Sequence, residues 1–395
     1  MREGDVVTIT PTELVAGGDA LARIDGFPVF ASNVFPGDVA RVRLYEVKKG
    51  FAKADLEELV TPSPWRRAMT CPIANECGGC DWTALRLDKQ LEAKTRILTE
   101  SLRRIGKLDV ATLPRIDLHP SPLNYRLRSR LHREGEAVGF FAMRSNRVVQ
   151  LAEECEVVGV HTAETYGTPA SPPAEQAASR RPRERDAPRS AGETPAVRSE
   201  ELWELGAELV TDRELTLTVN ELTWRLSTDA FFQVNRHLLG TMLRLVTAHA
   251  SRVRRKQSAV DLYGGVGFFT LPIAKLFERV TLIEGSPVAA RYARINVPRH
   301  VKVIEAPVEA KMRTLPEVDF TFLDPPRAGT RREVISTIAE KTREVIAYLS
   351  CDPVTFARDA SRLIASGWRL STLDLLDLFP NTHHVETLSS FERAQ

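Results

Sequence analysis

The sequence predicts an α/β protein whose C-terminal half is a doubly wound parallel sheet. From residue 258 onward, apolar runs that end in polar residues alternate with helical stretches: "SAVDLY", "RVTLIEGS", "VDFTFLDPP" and "EVIAYLSCDP". That is the grammar of buried strands joined by covering helices. Asp261, Glu284, Asp324 and Cys351 each fall at or near the end of such a run, and open parallel sheets bind ligands at the carboxyl ends of their strands. The residues before 226 follow other patterns, and 395 residues exceed what one core usually organises. Three units are therefore expected: 1–61, 62–225 and 226–395.

The first unit reads as β. Short apolar or alternating runs ("VVTI", "PVFAS", "VARVRLYEV", "ADLEELV") are separated by "GGD", "DGFP" and "FPGD" turns. Several short strands in so few residues suggest a small barrel of the oligonucleotide-binding (OB) type. Arg41, Arg43, Lys48, Lys49 and Lys53 cluster in its second half beside a single acid, Glu46. In the second unit, "LDKQLEAKTRILTESLRRIG" places Leu87, Leu91, Leu98, Leu102 and Ile105 at helical spacing, with Gly106 as the stop. "NYRLRSRLHRE" (124–134) alternates Arg126, Arg128 and Arg130 with Leu127, Ser129 and Leu131, which puts three guanidiniums on one strand face. Such a row suits phosphate contacts, the alternative being a solvated face. Residues 162–200 carry six prolines and almost no large apolar side chain, so a disordered insertion is expected there.

Composition bounds the partners. Overall the chain is ordinary, with 43% hydrophobic and 27% charged residues and a net charge of +2. Residues 86–150, however, hold 14 Lys/Arg against 7 Asp/Glu, a local excess of the kind polyanion binding uses. The amino terminus has no apolar signal region, and no apolar run approaches the length of a membrane helix. A cytoplasmic, monomeric protein without membrane contact is expected.

Five cysteines are present, and three crowd into "CPIANECGGC" as Cys71, Cys77 and Cys80. In a cytoplasmic chain this spacing favours a metal over disulfides. Cys155, in "EECEVV", is the nearby fourth ligand. Four thiolates suit zinc or an iron–sulfur cluster, and spacing alone leaves the two open. Cys351 is left over. Lone thiols are commonly packed core residues, yet this one sits on a strand end, in "SCDP", beside three acids that share the same edge.

The turn after the first parallel strand holds Gly265 and Gly267, which lets backbone approach a ligand at a helix start. Glu284, 19 residues beyond Gly265, stands where an acid takes ribose hydroxyls. Position 270 is Thr270, so the third glycine of the dinucleotide pattern is missing. A smaller nucleoside ligand such as S-adenosylmethionine fits better.

"FFQVN" (231–235), "DLYGGVGFFTLPIA" (261–274), "FLDPPRAG" (322–329), "YLSCDP" (348–353) and "FPNTHHVETL" (379–388) together make the chain resemble the RNA uracil-5-methyltransferase family. The cysteine run resembles the [4Fe–4S] site of its ribosomal-RNA members, and the first 60 residues resemble their TRAM domain. The resemblance implies a Rossmann-like class I S-adenosylmethionine methyltransferase domain behind a TRAM barrel and a central iron–sulfur domain. It makes Cys351 the nucleophile and Glu386 the base, with His383 and His384 as runners-up. It places Gln233, Tyr263, Gly265, Glu284 and Asp324 in the cofactor and uracil pocket, and makes Cys71, Cys77, Cys80 and Cys155 cluster ligands. The implied substrate is 23S ribosomal RNA, with transfer RNA as the alternative. Two positions depart from the family pattern: Gly264 replaces a cysteine, and Phe268 replaces an asparagine expected to touch the cofactor. Pro307 also stands where relatives often carry a polar residue near the adenine. Phe268 and Pro307 motivate a competing reading, a non-catalytic RNA-binding iron–sulfur protein. A cytosine-5-methyltransferase is disfavoured because Ser350, not proline, precedes Cys351.

Overall fold

The computed structural model describes residues 1–158, 200–205, 208–209 and 214–393. The insertion expected over 162–200 thus lies outside the described residues, except that Glu200 already begins a strand.

The N-terminal sheet contains β1 (Val6–Ile9), β2 (Glu13–Leu14), β3 (Ala20–Ile24), β4 (Phe27–Ser32), β5 (Val39–Val47) and β6 (Ala52–Thr61), in the order β1-β5-β6-β4-β3-β2. Period-two alternation builds it: along β5, Ala40, Val42 and Leu44 are buried while Arg41, Arg43 and Tyr45 face outward. The basic cluster here is largely neutralised, in a unit whose acids outnumber its bases. Arg41 pairs with Glu58 at 2.8 Å, Arg43 with Glu57 at 2.7 Å, and Lys48 with Glu46 at 2.5 Å. Two of those acids lie on the neighbouring strand β6, where a count along the sequence does not look for them.

The middle of the chain supplies α1 (Leu87–Arg104), β7 (Ile116–His119), β8 (Arg128–Glu134), β9 (Ala137–Phe141), β10 (Val148–Gln150), β11 (Glu200–Leu205) and β12 (Glu208–Leu209). β10-β9-β8-β11-β12 form a second, antiparallel sheet. α1 ends as expected, with the Gly106 amide donating to the Ser101 carbonyl at 3.1 Å. Its buried face differs from the leucine count, however. Leu98 and Leu102 are buried, but Leu87 and Ile105 are exposed, and Gln90 and Lys94 are fully buried in their stead. A hairpin of β13 (Glu214–Val219) and β14 (Leu222–Ser227) follows.

The remaining elements are α2 (Leu239–Arg252), β15 (Ser258–Leu262), α3 (Thr270–Ala274), β16 (Arg279–Glu284), α4 (Pro287–Asn296), β17 (Val301–Glu305), α5 (Val308–Lys311), β18 (Val318–Leu323), α6 (Arg332–Lys341), β19 (Thr342–Ser350), α7 (Pro353–Ala365), β20 (Trp368–Leu376) and β21 (Glu386–Arg393). Their sheet runs β17-β16-β15-β18-β19-β21-β20-β7. β15 through β19 are parallel, and β21 alone runs antiparallel to its neighbours. From β15 the chain builds β16 and β17 on one side, then crosses back to place β18 on the other. That reversal opens the crevice where doubly wound sheets hold nucleotides. The helix after the Gly265–Gly267 turn is short, Thr270–Ala274. Phe268 and Phe269 are drawn instead into an aromatic cluster with Phe232 and Phe322.

The sheet is buried on both faces. One core runs from Val246, Phe269 and Phe322 to Trp224 on β14. The other joins Ile346, Phe356 and Leu363 to Leu98 of α1 and to Val42 and Phe35 of the N-terminal sheet. α1 and β7 thus belong to the catalytic layer: β7 extends the sheet by pairing in parallel with β20, and Leu98 shares the core of α7. Among the described residues no helix is long and apolar enough to cross a membrane.

Candidate active site

The turn after β15 is built for close approach. Tyr263, Gly265 and Gly267 have φ of 61°, 55° and 84°, the left-handed region that favours glycine. A Cβ at Gly264 would lie 2.5 Å from Cγ of the buried Leu282. The missing cysteine at this position therefore reflects a leucine that fills its space. The Glu284 carboxylate accepts from the amides of Gly265 (2.9 Å) and Ser286 (2.6 Å), fixing the acid beside the turn. The Tyr263 hydroxyl donates to Glu309 at 2.9 Å.

Phe268 does not face this turn. It is buried, with ring centroids 4.9 Å from Trp224 and 5.0 Å from Phe232. The Trp224 indole donates to the Gly267 carbonyl at 3.3 Å. The expected loss of a cofactor contact is therefore a gain in packing behind the loop. Pro307 precedes α5 and lies against Gly285.

The next strand ends carry the acids. Asp261 accepts from the Thr270 hydroxyl through one oxygen, and its other oxygen is buried without a partner; burial pushes it up to about 7. Asp324, just past β18, accepts from Gln233 Nε2 at 2.9 Å. Burial and the neighbouring Asp261 push it up to about 8. Cys351 follows β19 and precedes α7, whose cap is Asp352, accepting from the Thr355 amide at 2.7 Å. The β19–β21 ladder ends at Ser350 opposite Thr387, so Cys351 and Glu386 come next in register on adjacent strands. Glu386 is buried and held well above the usual carboxylate range, by burial first and by Asp324 second. Burial, Glu386 and Asp324 push the Cys351 thiol up to about 12.

One cation opposes both shifts. Arg327 favours the charged forms of Cys351 and of Glu386. Its guanidinium contacts His384 Nε2 at 2.9 Å. His384 packs edge-on against Phe379 and is pushed down to about 3 by burial and its cationic neighbours. His383 pairs with Asp81 at 2.5 Å. Nothing in the motif "FLDPPRAG" itself marks Arg327, whose neighbours come from the 351–355 and 384–386 segments. Phe231 carries no local signal either; among the described residues it is the most exposed large apolar side chain, at 70%, and lies two residues from Gln233.

A cleft of about 1010 Å³ is walled by the N-terminal sheet, the cysteine segment, the β8–β10 region and the 379–384 loop, and reaches the site through Arg327 and His384. Arg126, Arg144 and Arg327 line it together with Phe140 and Phe141. The three arginines of 126–130 do not act as one row. β8 begins only at Arg128. Arg126 lies over the Phe140 ring at 5.2 Å, Arg128 donates to the Ala230 carbonyl at 2.7 Å, and Arg130 is exposed.

Cys71, Cys77, Cys80 and Cys155 line one small cavity, with Glu156 and Asn381 at its wall. Among the described residues no group of three or more His, Cys, Asp or Glu is arranged to hold a metal ion. The donor set is nonetheless all thiol, closed off by Ile73, Phe140 and Leu151, which fits a thiolate-bound group.

Comparison with known proteins gives the family. The family model for tRNA (Uracil-5-)-methyltransferase matches residues 199–306 and 313–393, and the TRAM domain model matches 2–56. An uncharacterized RNA methyltransferase of Corynebacterium efficiens is 33% identical over 416 residues, covering 100% of this chain and 96% of the relative. The 23S rRNA (uracil(1939)-C(5))-methyltransferase RlmD of Edwardsiella ictaluri is 30% identical, over 98% of this chain and 96% of its own. The fold is similar to that of the Pyrococcus abyssi tRNA (uracil-54, C5)-methyltransferase, solved with S-adenosyl-L-homocysteine, at a TM-score of 0.68 and 21% identity over 97% of this chain and 99% of that one. With its TRAM sheet, its nucleotide crevice and a thiol at the strand edge, the chain belongs to the RNA uracil-5-methyltransferase family and is an S-adenosylmethionine-dependent enzyme of that class.

Proposed function

We propose that the enzyme methylates carbon 5 of a uridine in 23S ribosomal RNA, with Cys351 as nucleophile and Glu386 as base. The observation that carries this reading is the register of β19 and β21, which brings the thiol and the carboxyl to neighbouring strand ends beside Asp324. The ribosomal target is supported by full-length similarity to an RlmD enzyme.

Carbon 5 of uracil is too weakly nucleophilic to take a methyl group unaided. Cys351 thiolate adds to carbon 6, and the displaced pair enriches carbon 5, so one hard step becomes two easier ones. S-adenosylmethionine supplies an electrophilic methyl on its sulfonium: carbon 5 would bond to it as the sulfur–methyl bond breaks, the pair leaving with the neutral thioether. Glu284 and the Gly265 turn would hold its ribose end, and Asp324 and Gln233 would face the uracil. After methyl transfer, Glu386 takes the carbon-5 proton. The freed pair restores the 5,6 double bond, and the carbon–sulfur bond breaks to return the thiolate. Arg327 favours both anions this cycle needs. The target base must leave its stack to reach so recessed a thiol, and the aromatic and cationic cleft suits the flanking strand.

The four-cysteine cavity is assigned to a [4Fe–4S] cluster, on its all-thiol donor set and on the resemblance of its spacing to that of the ribosomal-RNA enzymes. Closure of the N-terminal sheet as an OB-like barrel, a monomeric state and a cytoplasmic site of action belong to the same reading. Nucleoside mapping of 23S and transfer RNA from cells lacking the protein tests the target. Loss of one 5-methyluridine from 23S RNA is expected; loss from transfer RNA alone would replace that substrate.

A further inference from the structure

The residues that follow two of the cavity cysteines grip the loop leading into Glu386. Asp81, after Cys80, accepts from the His383 amide at 3.1 Å and pairs with its ring. Glu156, after Cys155, accepts from Asn381 Nδ2 at 2.7 Å. Asn381 is fully buried at φ 67°, and each of its polar atoms is used. Its amide donates to Gln90 Oε1 at 2.7 Å. Its carbonyl accepts from the amides of Asp81 and Trp82 at 3.1 and 2.9 Å. Its Oδ1 accepts from Arg67 and Gln90, both at 3.0 Å. Arg67 closes the circuit through two bonds to Glu156, at 3.1 and 2.5 Å. Lys94, buried on α1, adds bonds to Asp377 (2.6 Å) and to the Phe379 carbonyl (3.0 Å).

We propose that the four-cysteine unit positions the catalytic base: through Asn381 and Asp81 it clamps loop 377–385, and Asn381 is a positioning residue for Glu386. A fully satisfied buried network is rigid and specifies one geometry, which apolar packing of the same loop does not require. Glu156 and Asn381 both line the thiol cavity, so the state of the cavity reaches the loop through two adjacent bonds. The step that feels it is the last one, removal of the carbon-5 proton, because Glu386 follows the clamped loop directly while Cys351 lies in the β19–α7 turn.

The inference rests on Glu386 being the base, and the test separates the two. Asn381→Gly keeps the left-handed backbone accessible and removes only the side-chain bonds; Glu156→Gln is the second variant. Each is assayed as the full chain with methyl-labelled S-adenosylmethionine and substrate RNA on denaturing gels. A fall in kcat of about tenfold or more, the scale of a misplaced catalytic group, is expected, with a methylated protein–RNA adduct accumulating. KM for RNA and affinity for S-adenosylmethionine should stay within about twofold, as for loss of a purely transition-state contact. Amide exchange over 377–385 should also be faster in Cys155→Ser than in the wild type. A slower enzyme without adduct in both variants, or unchanged exchange, overturns the clamp. If Glu386→Gln itself traps no adduct, the base assignment falls first.

Discussion

At the scale of single residues, Cys351 and Glu386 share one electrostatic problem. Each is disfavoured as an anion by burial and by neighbouring acids, and Arg327 is the cation that opposes this for both. The two fail at opposite ends of the cycle when removed. Cys351→Ala should bind RNA and cofactor and form no covalent species. Glu386→Gln should add, methylate and stall as an adduct carrying one extra methyl, visible on denaturing gels. Normal turnover by Glu386→Gln would pass the base role to His383 or His384. The pH dependence follows with its sign. Both groups act as anions and both are raised, so kcat/KM should climb with pH through neutrality into the alkaline range, and a profile falling above pH ~7 would contradict the assignment. Gly264 makes a separate, structural prediction. Gly264→Ala drives a methyl into Leu282, and overpacking of that kind costs about 1–3 kcal/mol, read as a melting temperature several degrees lower. In the sequence Cys351 stands out by its place at a strand end, and Glu386 through the family resemblance of its motif. Arg327 and Phe231 were present in such motifs too, but a role that depends on what folds against a residue cannot be counted along the chain.

At the scale of elements, β8 shows where alternation informs and where it misleads. Period two reads Arg126, Arg128 and Arg130 as one row, but β8 begins only at Arg128 and partners distant in sequence divide their work. Arg128 is committed to the Ala230 carbonyl beside the "FFQVN" segment, whereas Arg126 lines the cleft over Phe140. Arg128→Gln should therefore lower stability by about 1–3 kcal/mol, the cost of an unpaired buried group, and leave the salt dependence of RNA binding unchanged. Arg126→Gln should do the reverse, reducing the slope of log K against log salt by about one. Filter binding across a salt series beside thermal melts measures both, and equal behaviour of the two variants would restore the single-row picture. α1 teaches the same lesson from the other side. Leucine spacing found the helix and its end, yet the positions that matter for the catalytic loop are the polar Gln90 and Lys94, whose partners lie near residue 380.

At the scale of the whole molecule, the parallel sheet was legible because its strands repeat one local grammar, and the nucleotide edge followed from strand direction alone. The docking of β7 beside β20, and the core shared by α1, α7 and the N-terminal sheet, are contacts between segments hundreds of residues apart that no local pattern encodes. The four cysteines join both kinds of information. Three are a local motif, while Cys155 reaches the same cavity only through the fold, next to Glu156. A thiolate cluster there would tie the 71–80 segment, the β8–β10 sheet and the 377–385 loop into one body. Anaerobically purified protein should therefore be brown, with about four irons and four sulfides per chain. Cys155→Ser should bleach it and lower the melting temperature, because metal binding by a site absent from the unfolded chain adds directly to folding free energy. One equivalent of zinc and no iron would retain the cross-link and discard the cluster. Colourless, metal-free protein with an unchanged melting temperature in Cys155→Ser would show that the four thiols merely pack, since only a ligand shared among them makes loss of one sulfur felt across all three segments.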